Sequence, residues 1–144
     1  MATLLIDEVR EYVSDYAPNN YLIDGEEFTD TFIALCIELG VDSYNSMTPR
    51  SNFNLLGFPS KLILLLGTCA QMYQAKAALL ARNTMQYSDG GLQIPIEERA
   101  ELYQGLANSF RQQFREAAQA LKIQQNMESG WGEIRSDESR LPWW

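Results

Sequence analysis

Apolar residues along this chain recur mostly at helical spacing. Over residues 3–16, Leu5, Val9, Tyr12, Val13 and Tyr16 share one face, and Thr3 is placed to cap it. The stretch "APNNYLIDG" ends that pattern, because Pro18 and the two asparagines after it favour a turn. Asp24, with Glu27 three residues on, reads as a capping-box start. Phe28, Phe32, Leu35, Cys36 and Leu39 then form a second stripe, which Gly40 is placed to stop. Residues 43–58, "SYNSMTPRSNFNLLGF", are turn-rich with apolar islands and read as a loop with room for one helical turn.

Pro59 and Ser60 open a long third helix to about residue 84, about 36 Å at 1.5 Å per residue. Its early part, "LILLLGTCA", is apolar nearly all round, and its later part, "QAKAALLA", is rich in alanine. That is the pattern of a bundle's buried centre, with Gly67, Ala70, Ala75 and Ala78 letting neighbours approach. In "MQYSDGGLQIPIEER", residues 85–99, Asp89-Gly90 supplies left-handed turn residues, with Gly91 beside them. Tyr87 before the turn and Leu92, Ile94 and Ile96 after it alternate at strand period. Pro95 suits an edge or strand end. A fourth helix follows over residues 96–123 with Leu102, Leu106, Phe110, Phe114, Ala117 and Leu121 as its stripe. Periodicity ends after Gln124. The expected fold is mainly α: a four-helix bundle over residues 1–124, a small β-hairpin at 86–96 between the last two long helices, and an extended C-terminal arm over 125–144.

Composition narrows the chemistry. A chain of 144 residues, 46% apolar and 21% charged, fits one globular domain. Asp7 and Glu8 interrupt "MATLLIDEVR" before a secretory apolar run develops, and the run "LILLLG" is far short of the roughly 20 residues that span a bilayer. The expectation is a soluble protein made in the cytoplasm, with no membrane partner. There is no histidine, which removes the commonest metal ligand and the commonest general base near neutral pH. Cys36 and Cys69 sit in apolar helical patterns and read as small buried hydrophobes. Glu98 with Glu101, and Glu27 with Asp30, stand near helix starts, where carboxylates meet the dipole favourably. "YSDGG" lacks the Lys and Ser/Thr of a phosphate loop. No catalytic, cofactor-binding or metal-ligating set is expected.

Charge is unevenly placed: residues 1–42 carry net −9, residues 43–88 net +4 and residues 89–144 net −3. The four bases of the middle segment are Arg50, Lys61, Lys76 and Arg82. Such a chain is a poor wrapper of nucleic acid, but it suits acid-to-base contact within the fold or between copies. The tail poses a separate question. Trp131, Ile134, Leu141, Pro142, Trp143 and Trp144 fall outside any periodic helix. Three readings are open: a tail folded back on its own bundle, an arm docking on another chain, or a sticky end. The docking arm is the functional reading, since tryptophan is enriched at interface hot spots.

The layout as a whole resembles the head–tail connector (adaptor, or neck) proteins of tailed bacteriophages. The stretches that carry the resemblance are "LLIDEVREYVSDYAPNNYLIDGEEFTDTFIALCIELGVDSYNSMTP" and "LLLGTCAQMYQAKAALLARNTMQYSDGGLQIPIEERAELYQGLANSFRQQFREAAQALK", together spanning about residues 3–124. Shared features are a short acidic first helix, a "D-x-E-E-F" helix start, an "N…P" loop, a long Ala/Leu helix, an "SDGG" hairpin and a last amphipathic helix. The resemblance implies a ring of copies, a dodecamer, docked under the portal protein in the virion neck and offering a surface to the next neck or tail protein. It implies that DNA passes through the lumen without sequence-specific binding. It implies that Tyr87, Asp89, Gly90, Gly91, Leu92 and Ile94 face the channel or a neighbouring subunit, and that residues 125–144 engage the portal or an adjacent copy. No cofactor and no enzymatic activity are implied. The residues themselves leave other readings open: another small phage virion protein of tail completion or head closure, a non-viral helical protein-binding adaptor domain, or an enzyme working through carboxylates.

Overall fold

A computed structural model of the chain describes residues 4–20, 25–83 and 96–138, with side chains accounted for over 4–20, 25–83 and 99–129. The described part is mainly helical: α1 (Ile6–Val13), a 3-10 turn (Ala17–Asn19), α2 (Asp30–Ser46), α3 (Lys61–Asn83) and α4 (Ile96–Glu138). No strand occurs among the described residues. The expected hairpin, with Tyr87, Asp89, Gly90, Gly91, Leu92 and Ile94, lies outside them, as do Leu141, Pro142, Trp143 and Trp144.

α1 is shorter than its apolar pattern suggests. The Leu5 amide donates to Glu8 Oε2 at 2.9 Å, which anchors the first turn. Ser14, at φ 55° in the left-handed region, ends the helix. Tyr16 therefore falls in the following turn, and its hydroxyl donates to Glu11 at 2.7 Å. α2 also begins later than the sequence suggests. Thr29, not Asp24, caps it, its side-chain oxygen accepting from the Phe32 amide at 3.2 Å. Glu27 is held out of the helix because Asp15 accepts its backbone amide at 2.7 Å.

A buried ionic hub fixes this corner. Arg10 and Asp15 are 4% and 3% exposed and lie 3.0 Å apart. Arg10 also reaches Asp30 at 2.6 Å and Glu26 at 3.2 Å. Asp15 accepts from the Phe28 amide at 2.9 Å and from Asn20 Nδ2 at 2.8 Å. Burial works against the Arg10 charge, but the hydrogen bond to Asp30 and the charges of Glu26, Asp15 and Asp30 outweigh it and raise its pKa. The one base among the ten acids of residues 1–42 is thus spent inside the fold.

α3 packs against both α2 and α4. Gly40 does not stop α2; the helix runs on to Ser46 and buries Gly40 at its crossing with α3. A Cβ on Gly40 would stand 3.2 Å from Leu64 Cδ1, and one on Gly67 would stand 2.9 Å from Phe114 Cε2 and 3.5 Å from Gly40 Cα. Glycine is what lets these helices come so close. Around the crossing lie Ile33, Cys36, Ile37, Leu64, Met72 and Phe114. Ser60 Oγ accepts the Ile63 amide at 3.4 Å, so α3 starts where Pro59-Ser60 places it. By length and composition alone α3 could cross a membrane, but half of its most apolar window is buried within the fold, as in a core helix.

The buried line of α4 is not the leucine stripe. Ala107, Phe114, Ala118 and Lys122 are buried, with Phe110, Ala117 and Leu121 partly so, while Leu102 and Leu106 stand 68% and 45% exposed. Small residues face α3 because the helices are close, and the bulky leucines are turned outward. The helix also continues well past Gln124, so an extended arm over 125–138 is corrected to helix, and Trp131 and Ile134 fall on its backbone. Gly130 and Gly132 cost about 1 kcal/mol each relative to alanine but do not break a helix, and no proline lies between Pro95 and Pro142.

Candidate functional site

The loop after α2 folds back over Tyr44 through its own side chains. Asn45 Nδ2 donates to the Phe53 carbonyl at 2.9 Å, and Asn45 Oδ1 accepts the Phe53 amide at 3.1 Å. Phe53 and Phe58 pack on the Tyr44 ring with centroids 5.9 and 5.0 Å away. Lys122 of α4 then clamps this loop: its Nζ donates to the Pro49 carbonyl at 2.6 Å and to Ser51 Oγ at 3.1 Å, and lies 4.5 Å from the Tyr44 ring centre. Burial pushes its pKa down.

The clamp places the end of α2 beside α4 and leaves a cleft of about 460 Å³ between them, roofed over α3. Met47, Ala70 and Phe114 give it an apolar floor, and Arg111 and Arg115 stand along one wall. Arg111 is held by one edge, Nη2 donating to Gln74 Oε1 at 3.1 Å. Arg115 has no partner among the described residues. Among the described residues no carboxylate lines the cleft. Ser43 and Ser46 line the opposite wall, but their hydroxyl protons go to the Leu39 carbonyl at 2.8 Å and the Ser43 carbonyl at 3.0 Å. A hydroxyl nucleophile needs a base beside it, and a guanidinium accepts no proton. The described lining thus sets an apolar floor, which suits an apolar side chain, beside two guanidiniums, which suit an anion.

The middle bases answer the charge asymmetry partly within the fold. Lys61 pairs with Glu8 at 2.7 Å, which lowers the Glu8 pKa. Lys76 pairs with Glu27 at 3.4 Å, and the same carboxylate accepts the Tyr103 hydroxyl at 2.9 Å. Glu27 thus ties the entry to α2 onto α3 and α4 rather than capping a helix. Arg50 and Arg82 have no partner among the described residues.

Neither cysteine is poised for chemistry. Burial pushes the Cys36 thiol up to about 11, and burial with the nearby Cys36 pushes Cys69 up to about 12. Unfolded thiols ionise near 8.5. The unfolded chain therefore loses these protons first, and stability falls as pH rises from about 8.5 through 11 and 12. At pH 8 the folded chain is expected to resist iodoacetamide at both positions, with both alkylated in denaturant. Peptide mapping that finds either cysteine modified equally fast in the folded chain contradicts the burial. Among the described residues no group of three Cys, Asp or Glu side chains could hold a metal ion.

Of the residues singled out in sequence for partner binding, only Trp131 and Ile134 fall within the described backbone, on α4. The Arg111–Arg115 cleft was not legible there. Its one sequence signal is two arginines four apart on a helix, and its other wall comes from residues about seventy positions earlier. Comparison with protein-family models, curated proteins and solved structures finds no match.

Proposed function

We propose that this chain is a structural subunit of a tailed-bacteriophage neck, a head–tail connector whose copies form a ring under the portal protein. The observation that carries the reading is the pair of outward leucine faces on separate helices. Leu102 and Leu106 project from α4, and Leu35 and Leu39, 49% and 38% exposed, project from α2. Apolar side chains repeated on one exposed helix face mark an interaction surface. Two different such faces on one chain suit the head-to-tail contacts from which rings close. The mainly helical layout, the close-packed α3 and the long α4 are compatible with the connector pattern.

In this reading the ring is a dodecamer that continues the DNA channel, and the overall acidic charge keeps DNA from sticking as it slides. The 86–96 segment is a hairpin facing the lumen or a neighbour. The distal part of α4 and the segment carrying Leu141, Pro142, Trp143 and Trp144 reach for the portal or an adjacent copy.

Mass photometry of the purified chain with and without portal protein, followed by immunogold imaging of virions, tests the reading. Closed rings and gold confined to the neck are expected. Gold on the tail tip or the capsid faces points to another virion role. A chain that stays monomeric even with portal protein present rules out the ring and favours a lone adaptor domain.

A further inference from the structure

Most acids whose side chains are described already have a partner. Glu8 holds Lys61, Glu26 and Asp30 hold Arg10, and Glu27 holds Lys76. Glu11 accepts from Tyr16, Glu116 from Gln112 and Glu128 from Gln124. Asp7, Glu38, Asp42 and Glu101 do not have one among the described residues, and of these Glu38 and Asp42 are together, both exposed on α2. They are four positions apart, about 6 Å along the helix, and share their face with the exposed Leu35 and Leu39. The Arg111–Arg115 cleft presents the complement, two guanidiniums at the same spacing of about 6 Å beside an apolar floor.

We infer that the cleft is the docking site for the outer face of α2 from a second copy of this chain. Glu38 and Asp42 of the incoming helix meet Arg111 and Arg115, and its leucines cover the floor formed by Met47, Ala70 and Phe114. Arginine beside an apolar centre is the composition of a protein interface. Each charge pair, once desolvated, fixes register and rejects misaligned partners. The contact is head-to-tail, since each copy offers an α2 face to one neighbour and a cleft to the other, so it propagates around a ring. The inference rests on the ring reading and names the surfaces that would join the copies.

Two full-length variants, R111E/R115E and E38R/D42R, test it by mass photometry. Each alone sets like charges against each other and is expected to assemble at least about a hundredfold more weakly than the unaltered chain. An equimolar mixture is expected to regain assembly, because each variant then complements the other in alternation. That recovery also shows that both variants are folded. Variants that assemble like the unaltered chain overturn the contact and leave the ring reading standing. Variants that stay dispersed when mixed overturn the pairing of these four residues. An unaltered chain that forms no oligomer even with portal protein present overturns both.

Discussion

Asp15→Ala is expected to destabilise the chain by about 3–5 kcal/mol, the combined cost of breaking a buried ion pair and of orphaning the amides that its carboxylate holds. Four donors converge on this carboxylate: the Arg10 guanidinium at 3.0 Å, the amides of Glu27 and Phe28 at 2.7 and 2.9 Å, and Asn20 Nδ2 at 2.8 Å. Alanine removes the one buried carboxylate from a guanidinium 4% exposed, leaving it only the more exposed Asp30 and Glu26, and leaves two backbone amides unsatisfied. In a chain of this length the loss corresponds to a fall in Tm on the order of 10 °C. Glu26→Ala is the matching control. Glu26 also pairs with Arg10, at 3.2 Å, but its side chain is 51% exposed, so its loss should cost less than about 1 kcal/mol. Urea unfolding followed by circular dichroism separates the two. Equal effects would mean that the hub is solvated rather than buried.

The hub also explains what the charge count could not. A net of −9 over residues 1–42 looks like a surface made for an external basic partner. Arg10 and, from farther along the chain, Lys61 and Lys76 instead take up several of those acids internally. What remains for another chain is narrower. On α2 it is Glu38 and Asp42, and these are the acids that the inferred contact uses.

The helices that pack were legible because packing writes a period into the sequence. α3 was visible in that way, and Ser60 correctly marked its start. α2 was legible as a helix but not by its face, since Leu35 and Leu39 of the expected stripe are exposed while Ile33, Ile37, Val41 and Tyr44 are buried. Periodicity reports burial rather than helix formation, however, so it missed the distal part of α4. Residues 126–129 are exposed, and a helix without a packing partner leaves no stripe to read. Hydrophobicity found the α4 face at Phe110, Phe114, Ala117 and Leu121 but misjudged its first two turns. It placed Leu102 and Leu106 inside, whereas Ala107 and Ala118 are the residues close enough to α3 to be buried. Start signals failed where a distant side chain decided the matter. Asp15 holds Glu27 by its amide, so Glu27 stands outside α2 and Thr29 caps the helix, while Asp24 lies outside the described residues. The Arg111–Arg115 cleft is a product of tertiary contact, made when Lys122 pins the loop after α2.

Gly67→Ala should expose the same limit in the opposite sense, because propensity and packing disagree there. Alanine in place of glycine in a helix gains about 0.5–1 kcal/mol. At Gly67 the added methyl would lie 2.9 and 3.0 Å from two ring carbons of Phe114 and 3.5 Å from Gly40 Cα. The Phe114 ring is 5% exposed and packed except where it floors the cleft, so admitting the methyl means displacing a packed ring, and overpacking of this kind costs about 1–3 kcal/mol. The expected net is a loss of up to about 2 kcal/mol. Gly105→Ala on the exposed side of α4 meets nothing within 4 Å and should gain the full propensity term, about 0.5–1 kcal/mol. Two chemically identical substitutions in long helices are thus expected to move stability in opposite directions. A double variant, Gly67→Ala with Phe114→Leu, should cost less than the sum of its parts, because trimming the ring relieves the clash. Additive costs would mean that α3 and α4 do not meet at this crossing, and the wall that carries Arg111 and Arg115 would then have no fixed place beside α2.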